Sequence, residues 1–185
     1  SQKQIEIMNG HCLHQMGFRG QGMLIAVMDA GFFKVDSFRA FDSINLNNQI
    51  VSTRDFVNPG RDFFSTHSHG MSVLSIIAGN VPDTLIGTAP KAEFALIVTE
   101  DGDSEYPIEE YNWASGAEYA DSIGADIINS SLGYSTFDNP SFNHTFSDMN
   151  GTTSPCAKAA NIAGSKGILV VVSAGNEGSK PWRKI

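Results

Sequence analysis

Two side chains in this sequence are of types that could do acid–base chemistry and stand at predicted element ends, a carboxylate at Asp29 and an imidazole at His69, the alternative for His69 being a loop residue or cap-region donor. Asp29 follows the run Leu24-Ile25-Ala26-Val27-Met28 and precedes Ala30-Gly31. A bare carboxylate sunk past a buried run costs several kcal/mol unless it is paired. Asp29 is therefore expected at the end of a strand with a partner beside it; the alternative is a solvated Asp that opens the turn at Gly31. His69 lies just before Val73, Leu74, Ile76 and Ile77, an apolar stripe at helical spacing, which puts the imidazole at a helix N-terminus. His67 and His69 also invite a metal reading, but no third ligand stands at a recognisable zinc spacing. The acidic stretch Glu100-Asp101-Gly102-Asp103-Ser104-Glu105 has the 1-3-5 rhythm of a calcium loop. It fails that test, since Tyr106 occupies the glycine position and Asn112 the bidentate glutamate position.

The elements that must hold these groups alternate in type. Leu24–Met28, Phe94–Val98, Asp126–Ser130 and Ile168–Val172 are short apolar runs of the kind found in strands covered on both faces, with a further short strand at Ile50–Ser52. Full burial of each large side chain in such a run is worth roughly 1.5–3 kcal/mol. Between them lie helical segments: one over Met71–Gly79, one with Pro107 in the first turn and Gly124 as its stop, and one with Ser154 as N-cap, Pro155 first and Gly167 last. Glu109 and Glu110 would complement the dipole of the second. Alternating strands and helices imply a parallel sheet with right-handed crossovers and helices on both faces, a three-layer doubly wound α/β fold. Carboxyl ends of strands in such sheets are where sites form. Residues 1–19 read as an N-terminal arm, with Gly17, Gly20 and Gly22 turning into the first strand. Those glycines precede the strand, so a dinucleotide fingerprint is excluded. Residues 133–153 form a long loop carrying Tyr134, Phe137, Phe142, His144 and Phe146, of the kind that is functional or mobile.

The chain has 185 residues, one domain's worth, at 41% hydrophobic and 17% charged. A net charge of −8 leaves no basic stripe for nucleic acid. No apolar run reaches membrane-spanning length, and no signal peptide opens the chain, as would hold for a processed N-terminus at Ser1. Cys12 and Cys156 are read as two free, buried thiols.

Taken together, four segments resemble the subtilisin-like serine peptidases. Ile25-Ala26-Val27-Met28-Asp29-Ala30-Gly31 is similar to the family's aspartate motif and His69-Gly70-Met71-Ser72-Val73 to its histidine motif, with Met71 where threonine is usual. Ser131-Leu132-Gly133 resembles the segment lining the substrate cleft, and Ser173-Ala174-Gly175-Asn176-Glu177-Gly178 the stretch with the oxyanion-hole asparagine. The resemblance runs from about Gly20 onward, in the family's order. It implies that Asp29 orients, His69 is the general base and Asn176 donates to the oxyanion. It also implies that Ser131, Leu132 and Gly133 pair with an extended polypeptide substrate, with Glu100 and Asp101 on the other flank of the cleft. The chemistry implied needs no cofactor. Structural calcium is frequent in the family, with no ligand set identifiable here, and most members are secreted or extracytoplasmic.

The resemblance also implies a serine in a Gly-Thr-Ser motif well after the asparagine, and none occurs before Ile185. Gly151-Thr152-Thr153-Ser154-Pro155 lies on the wrong side of the asparagine strand, and Ser154 is better explained as a cap. Residues 1–185 are thus expected to be the N-terminal part of a single peptidase catalytic domain, completed by a companion C-terminal segment. Alone they would expose the flanks of their most apolar strands. A catalytically inactive subtilisin-like binding module is the alternative. A phosphoacceptor domain built on Asp29 needs further acids to hold magnesium, and Ala30-Gly31 supplies none.

Overall fold

A computed structural model describes residues 2–179; Ser1 and Ile185, on which the expectations for the two chain ends rest, lie outside the described residues. The elements run α1 (Gln2–Ile7), α2 (Gly10–Gln15), β1 (Leu24–Asp29), α3 (Asp42–Leu46), β2 (Ile50–Asp55) and α4 (His69–Ala78). A small hairpin of β3 (Asn80–Val81) and β4 (Leu85–Ile86) follows, then β5 (Glu93–Val98) and α5 (Ile108–Ser122). The described part closes with β6 (Ile127–Ser130), α6 (Pro155–Ser165), β7 (Leu169–Val172) and a short 3-10 turn.

Five strands make one parallel sheet in the order β2-β5-β1-β6-β7. Successive residues of β1 point to opposite faces, so Ile25 and Val27 enter one core while Ala26 and Met28 enter the other. On the first face they meet Leu74 and Ala78 of α4, Ile44 of α3, Phe32 and Phe41. On the second they meet Trp113, Ala117 and Ala120 of α5 and Ala163 of α6. The fold is therefore the expected α/β sandwich of helices about a parallel sheet. The chain fills one side of β1 with β2 and β5, then crosses to the other with β6 and β7, and this reversal opens a crevice at the carboxyl end of β1. Asp126 sets the register at the opposite rim: its carboxylate accepts the Leu24 N–H at 2.8 Å and its carbonyl the Leu169 N–H at 2.9 Å.

Two expectations need correction. The expected N-terminal arm is helical where it is described, as α1 and α2, because the chain finds a surface to dock on. The His14 Nε2–H donates to the Thr88 carbonyl at 2.9 Å, and Ile5 is buried. Cys12 lies on the outside of α2 and is exposed, whereas Cys156 is half-buried; both thiols are free. β7 is the sheet's edge among the described residues, with Leu169 60%, Val171 45% and Val172 57% exposed, an apolar strand flank left open as expected of residues 1–185 alone.

Glu109 and Glu110 stand in the first turn of α5, as expected of dipole partners, and are only 2% and 3% exposed. Glu110 accepts from the His144 Nε2–H at 3.1 Å and lies 3.4 Å from Cys156 Sγ, which pins the 133–153 loop to α5 and α6. Glu109 has no such cation. Burial, then the Glu105 and Glu100 carboxylates, push its carboxyl up to about 8, against the pull of the Tyr106 and Asp101 backbone N–H groups.

The start of α4 is set by two glycines. A Cβ on Gly70 would lie 2.5 Å from the Gly31 carbonyl oxygen and 2.7 Å from Asp29 Cβ. One on Gly31 would lie 2.3 Å from the His67 nitrogen. Backbone packs on backbone here, and the Met71 N–H donates to the Gly31 carbonyl at 3.1 Å. Gly70→Ala is expected to force α4 off the end of β1 and to destabilise the protein by about 1–3 kcal/mol, the usual cost of overpacking; chemical denaturation measures it. Glu109→Gln is expected to change the pH dependence of stability. In the folded chain Glu109 keeps its proton up to about 8, while its ordinary value is 4.5, so stability falls as pH rises between them. The glutamine variant loses that decline and melts a few degrees above the parent at pH 8.5, with the gap closing toward pH 4.5 in thermal scans.

Candidate active site

Asp29 is the last residue of β1 and is fully buried. Its Oδ1 accepts the Ala30 backbone N–H at 2.8 Å and the His69 Nδ1–H at 2.7 Å. Burial holds its carboxyl above the usual range, while the hydrogen bond and charge of His69 pull it back. Oδ2 is buried as well and finds no partner among the described residues. The carboxylate is thus isolated from water and faces a single imidazole.

His69 is the first residue of α4, and its side chain is 47% exposed. The ring is tied through Nδ1 to the end of β1 while nearly half of the side chain stays open to solvent. Because Nδ1 is committed to Asp29, Nε2 is the nitrogen left to exchange a proton with a ligand. The pairing fixes both tautomer and orientation, the two properties a general base requires. His67 is nearby, with ring centroids 6.5 Å apart, yet its Nδ1 accepts the His69 backbone N–H at 3.2 Å. Among the described residues no group of three or more His, Cys, Asp or Glu side chains is placed to hold a metal ion.

Of the other expected site residues, Ser131, Leu132, Gly133 and Asn176 share one pocket, whose lining does not include Asp29, His69, Glu100 or Asp101. Beyond the end of β6, Ser131, Leu132 and Gly133 continue into a pocket of about 480 Å³ that they share with Ser173, Ala174, Gly175 and Asn176. Ser173 ties the two segments together: its N–H donates to the Ser130 carbonyl at 3.0 Å and its hydroxyl to the Leu132 carbonyl at 3.3 Å. Trp113 and Cys156 form part of the pocket's inner lining. Burial pushes the Cys156 thiol up to about 11, which keeps it a poor nucleophile. Ser154 is the N-cap of α6 as expected, its Oγ accepting the Ala157 N–H at 3.3 Å.

On the other flank Glu100 follows β5, next to Asp29 across the sheet, where the Thr99 N–H donates to the Asp29 carbonyl at 3.1 Å. Burial, then repulsion from Glu105 and Asp29, push the Glu100 carboxyl up to about 7. Asp101 lies beside it in the same loop, half-buried. The two flanks are joined at one end, where the Asp138 N–H donates to the Glu105 carbonyl at 2.9 Å. Sequence patterns did not single out His67, Glu105 or Asp138 as parts of this wall; each acts through a contact distant in the chain. A larger cavity, about 580 Å³, lies between α2 and the β3–β4 hairpin and includes none of the groups above.

The sequence profile of the subtilase family matches residues 20–183. Subtilisin E of Bacillus subtilis (strain 168) is 31% identical over 169 residues, which cover 90% of this chain and 38% of that protein. The C5a peptidase of Streptococcus pyogenes serotype M6 is 27% identical over 199 residues, covering 90% of this chain and 16% of its own. Among solved structures, MycP1 with its N-terminal propeptide removed superposes with a TM-score of 0.65 at 22% identity, over 99% of this chain and 56% of that one. The prenylagaramide maturation protease PagA gives 0.63 at 23% identity, over 91% and 51%. The chain therefore spans only part of the length of each of these relatives. With the profile running from the turn before β1 to beyond the asparagine, on a sheet of the same fold, the chain belongs to the subtilase family.

Proposed function

We propose that this chain supplies Asp29, His69 and Asn176 to a serine endopeptidase that cuts extended polypeptides, the nucleophilic serine being contributed by polypeptide beyond residue 185 or by a companion C-terminal piece. The observation that carries this is the 2.7 Å hydrogen bond from His69 Nδ1 to a carboxylate with no access to water. A serine hydroxyl beside Nε2 would give its proton to that nitrogen as its oxygen bonds to the scissile carbonyl carbon. The carbonyl oxygen becomes an oxyanion, which the Asn176 side-chain amide stabilises by donating a hydrogen bond. Collapse breaks the C–N bond, and the leaving amine takes the proton from Nε2. Water then repeats the cycle on the acyl-enzyme and regenerates the serine. Asp29 stays ionised throughout and steadies the imidazolium. No cofactor enters this sequence.

Two further features support the reading. Ser131 and Leu132, half-buried, and Gly133, exposed, follow a strand end where an extended substrate can add as a strand. The apolar edge of β7 calls for more polypeptide beside it, in keeping with relatives longer than this chain. Secretion is proposed from the family resemblance. Glu100 and Asp101 on the opposite wall favour basic side chains on the acyl side of the cut bond.

Fluorophosphonate labelling of the complete protein tests the activity. Label is expected on a serine beyond residue 185 and is expected to vanish in His69→Ala; absence of label from the parent protein would make the chain a binding module instead. Asn176→Ala is expected to lower kcat about 10²–10³-fold with little change in KM, a magnitude that itself comes from a subtilisin. The acidic wall predicts a pH signature in peptide-library cleavage. Glu100 gains its charge as pH rises through about 7, so the preference for Lys and Arg over Leu is expected to grow from pH 6 to pH 8. Reversing the charge at both Glu100 and Asp101 is expected to erase it; an unchanged preference would remove these residues from the subsite.

A further inference from the structure

We propose that His67 is a positioning residue for His69, acting as a wedge between the start of α4 and the acidic loop after β5; this rests on His69 being the general base. The first turn of a helix leaves backbone N–H groups without partners, and the residue before it normally caps one of them. Ser68 occupies that position in α4 and makes no side-chain cap. The His69 N–H donates instead to His67 Nδ1, 3.2 Å away. This is the two-residue reach that an Asn or Asp side chain makes in a turn, here performed by an imidazole. It fixes the tautomer of His67, since Nδ1 must be free of a proton to accept.

The ring is held from the far side by Gly102. A Cβ there would lie 2.9 Å from His67 Cδ2 and 3.0 Å from Cγ, so the imidazole rests on the glycine backbone with no room for a side chain. The backbone of His67 is fixed in turn against the segment that follows β1, its carbonyl accepting the Phe33 N–H at 3.3 Å and its nitrogen abutting Gly31. One residue thus touches the turn after β1, the start of α4 and the acidic loop that carries Glu100 and Asp101. Movement of that loop is transmitted through the ring to the backbone of His69. Gly102 then has a stated purpose: it leaves the space that lets the ring reach its hydrogen bond.

The test is a set of variants in the complete protein, read by steady-state kinetics and by the low-field proton resonance of His69 Nδ1–H. His67→Ala is expected to lower kcat about tenfold with KM within about twofold, as for a lost cap and a misplaced base. His67→Asn keeps an acceptor at the same reach and is expected to restore kcat to within about twofold of the parent. Gly102→Ala, which leaves the imidazole in place but takes its seat, is expected to reproduce the His67→Ala loss. The double variant is expected to be no worse than His67→Ala alone. Parent-like kcat in His67→Ala, no rescue by asparagine, or additive losses in the double variant would each overturn the proposal. The resonance separates this from the peptidase reading: it should broaden in His67→Ala and persist in His67→Asn whether or not the protein cleaves anything. An unchanged resonance in His67→Ala would overturn the positioning role on its own.

Discussion

Two backbones that touch without side chains between them, at Gly31 and Gly70, are the constraint on which the site depends. A helix can begin directly over the end of a strand only if nothing larger than hydrogen stands at either position. That approach brings the first residue of α4 within 2.7 Å of the last residue of β1. It also shuts water away from the carboxylate, which makes the bond to His69 electrostatically stronger than it would be at the surface. The same closure raises the cost of leaving Asp29 unpaired, so the pairing and the packing support one another.

Acidic crowding is the second theme of the crevice. Glu100, Glu105 and Glu109 approach one another at the junction of β5 and α5, and each has its carboxyl raised by burial and by its neighbours. Glu110, one residue further on, escapes by pairing with His144. Adjacent residues of one helix thus meet opposite surroundings: one carboxyl holds a proton for want of a cation, the other anchors a loop. Charge placed this way lowers stability at alkaline pH and gives one wall of the crevice its sign.

The features legible in the sequence were those set by local pattern. An apolar run that ends in a carboxylate announced both β1 and the need for a partner at Asp29. The stripe from Val73 to Ile77 placed His69 at a helix start, and the Ser154-Pro155 pair gave the cap of α6. What stayed hidden depends on which surfaces meet. Gly31 and Gly70 read as turn and motif residues until their contact was seen. Glu109 and Glu110 read as dipole partners, which they are, but nothing in their neighbourhood reveals their burial or the contact of Glu110 with His144 of the 133–153 loop. The helices of residues 1–19 depend on docking sites some seventy residues downstream, such as the Thr88 carbonyl that receives His14. His67 resembled half of a metal pair because an imidazole acting as a helix cap has no signature in spacing.

The exposed edge of β7 has a kinetic meaning. Asp126 ties the beginnings of β1, β6 and β7 into one register, so the outermost strand among the described residues presents its outer edge as a ruler already cut to length. A newcomer pairing there must match it to the residue, because a slip of one would turn its apolar side chains toward solvent.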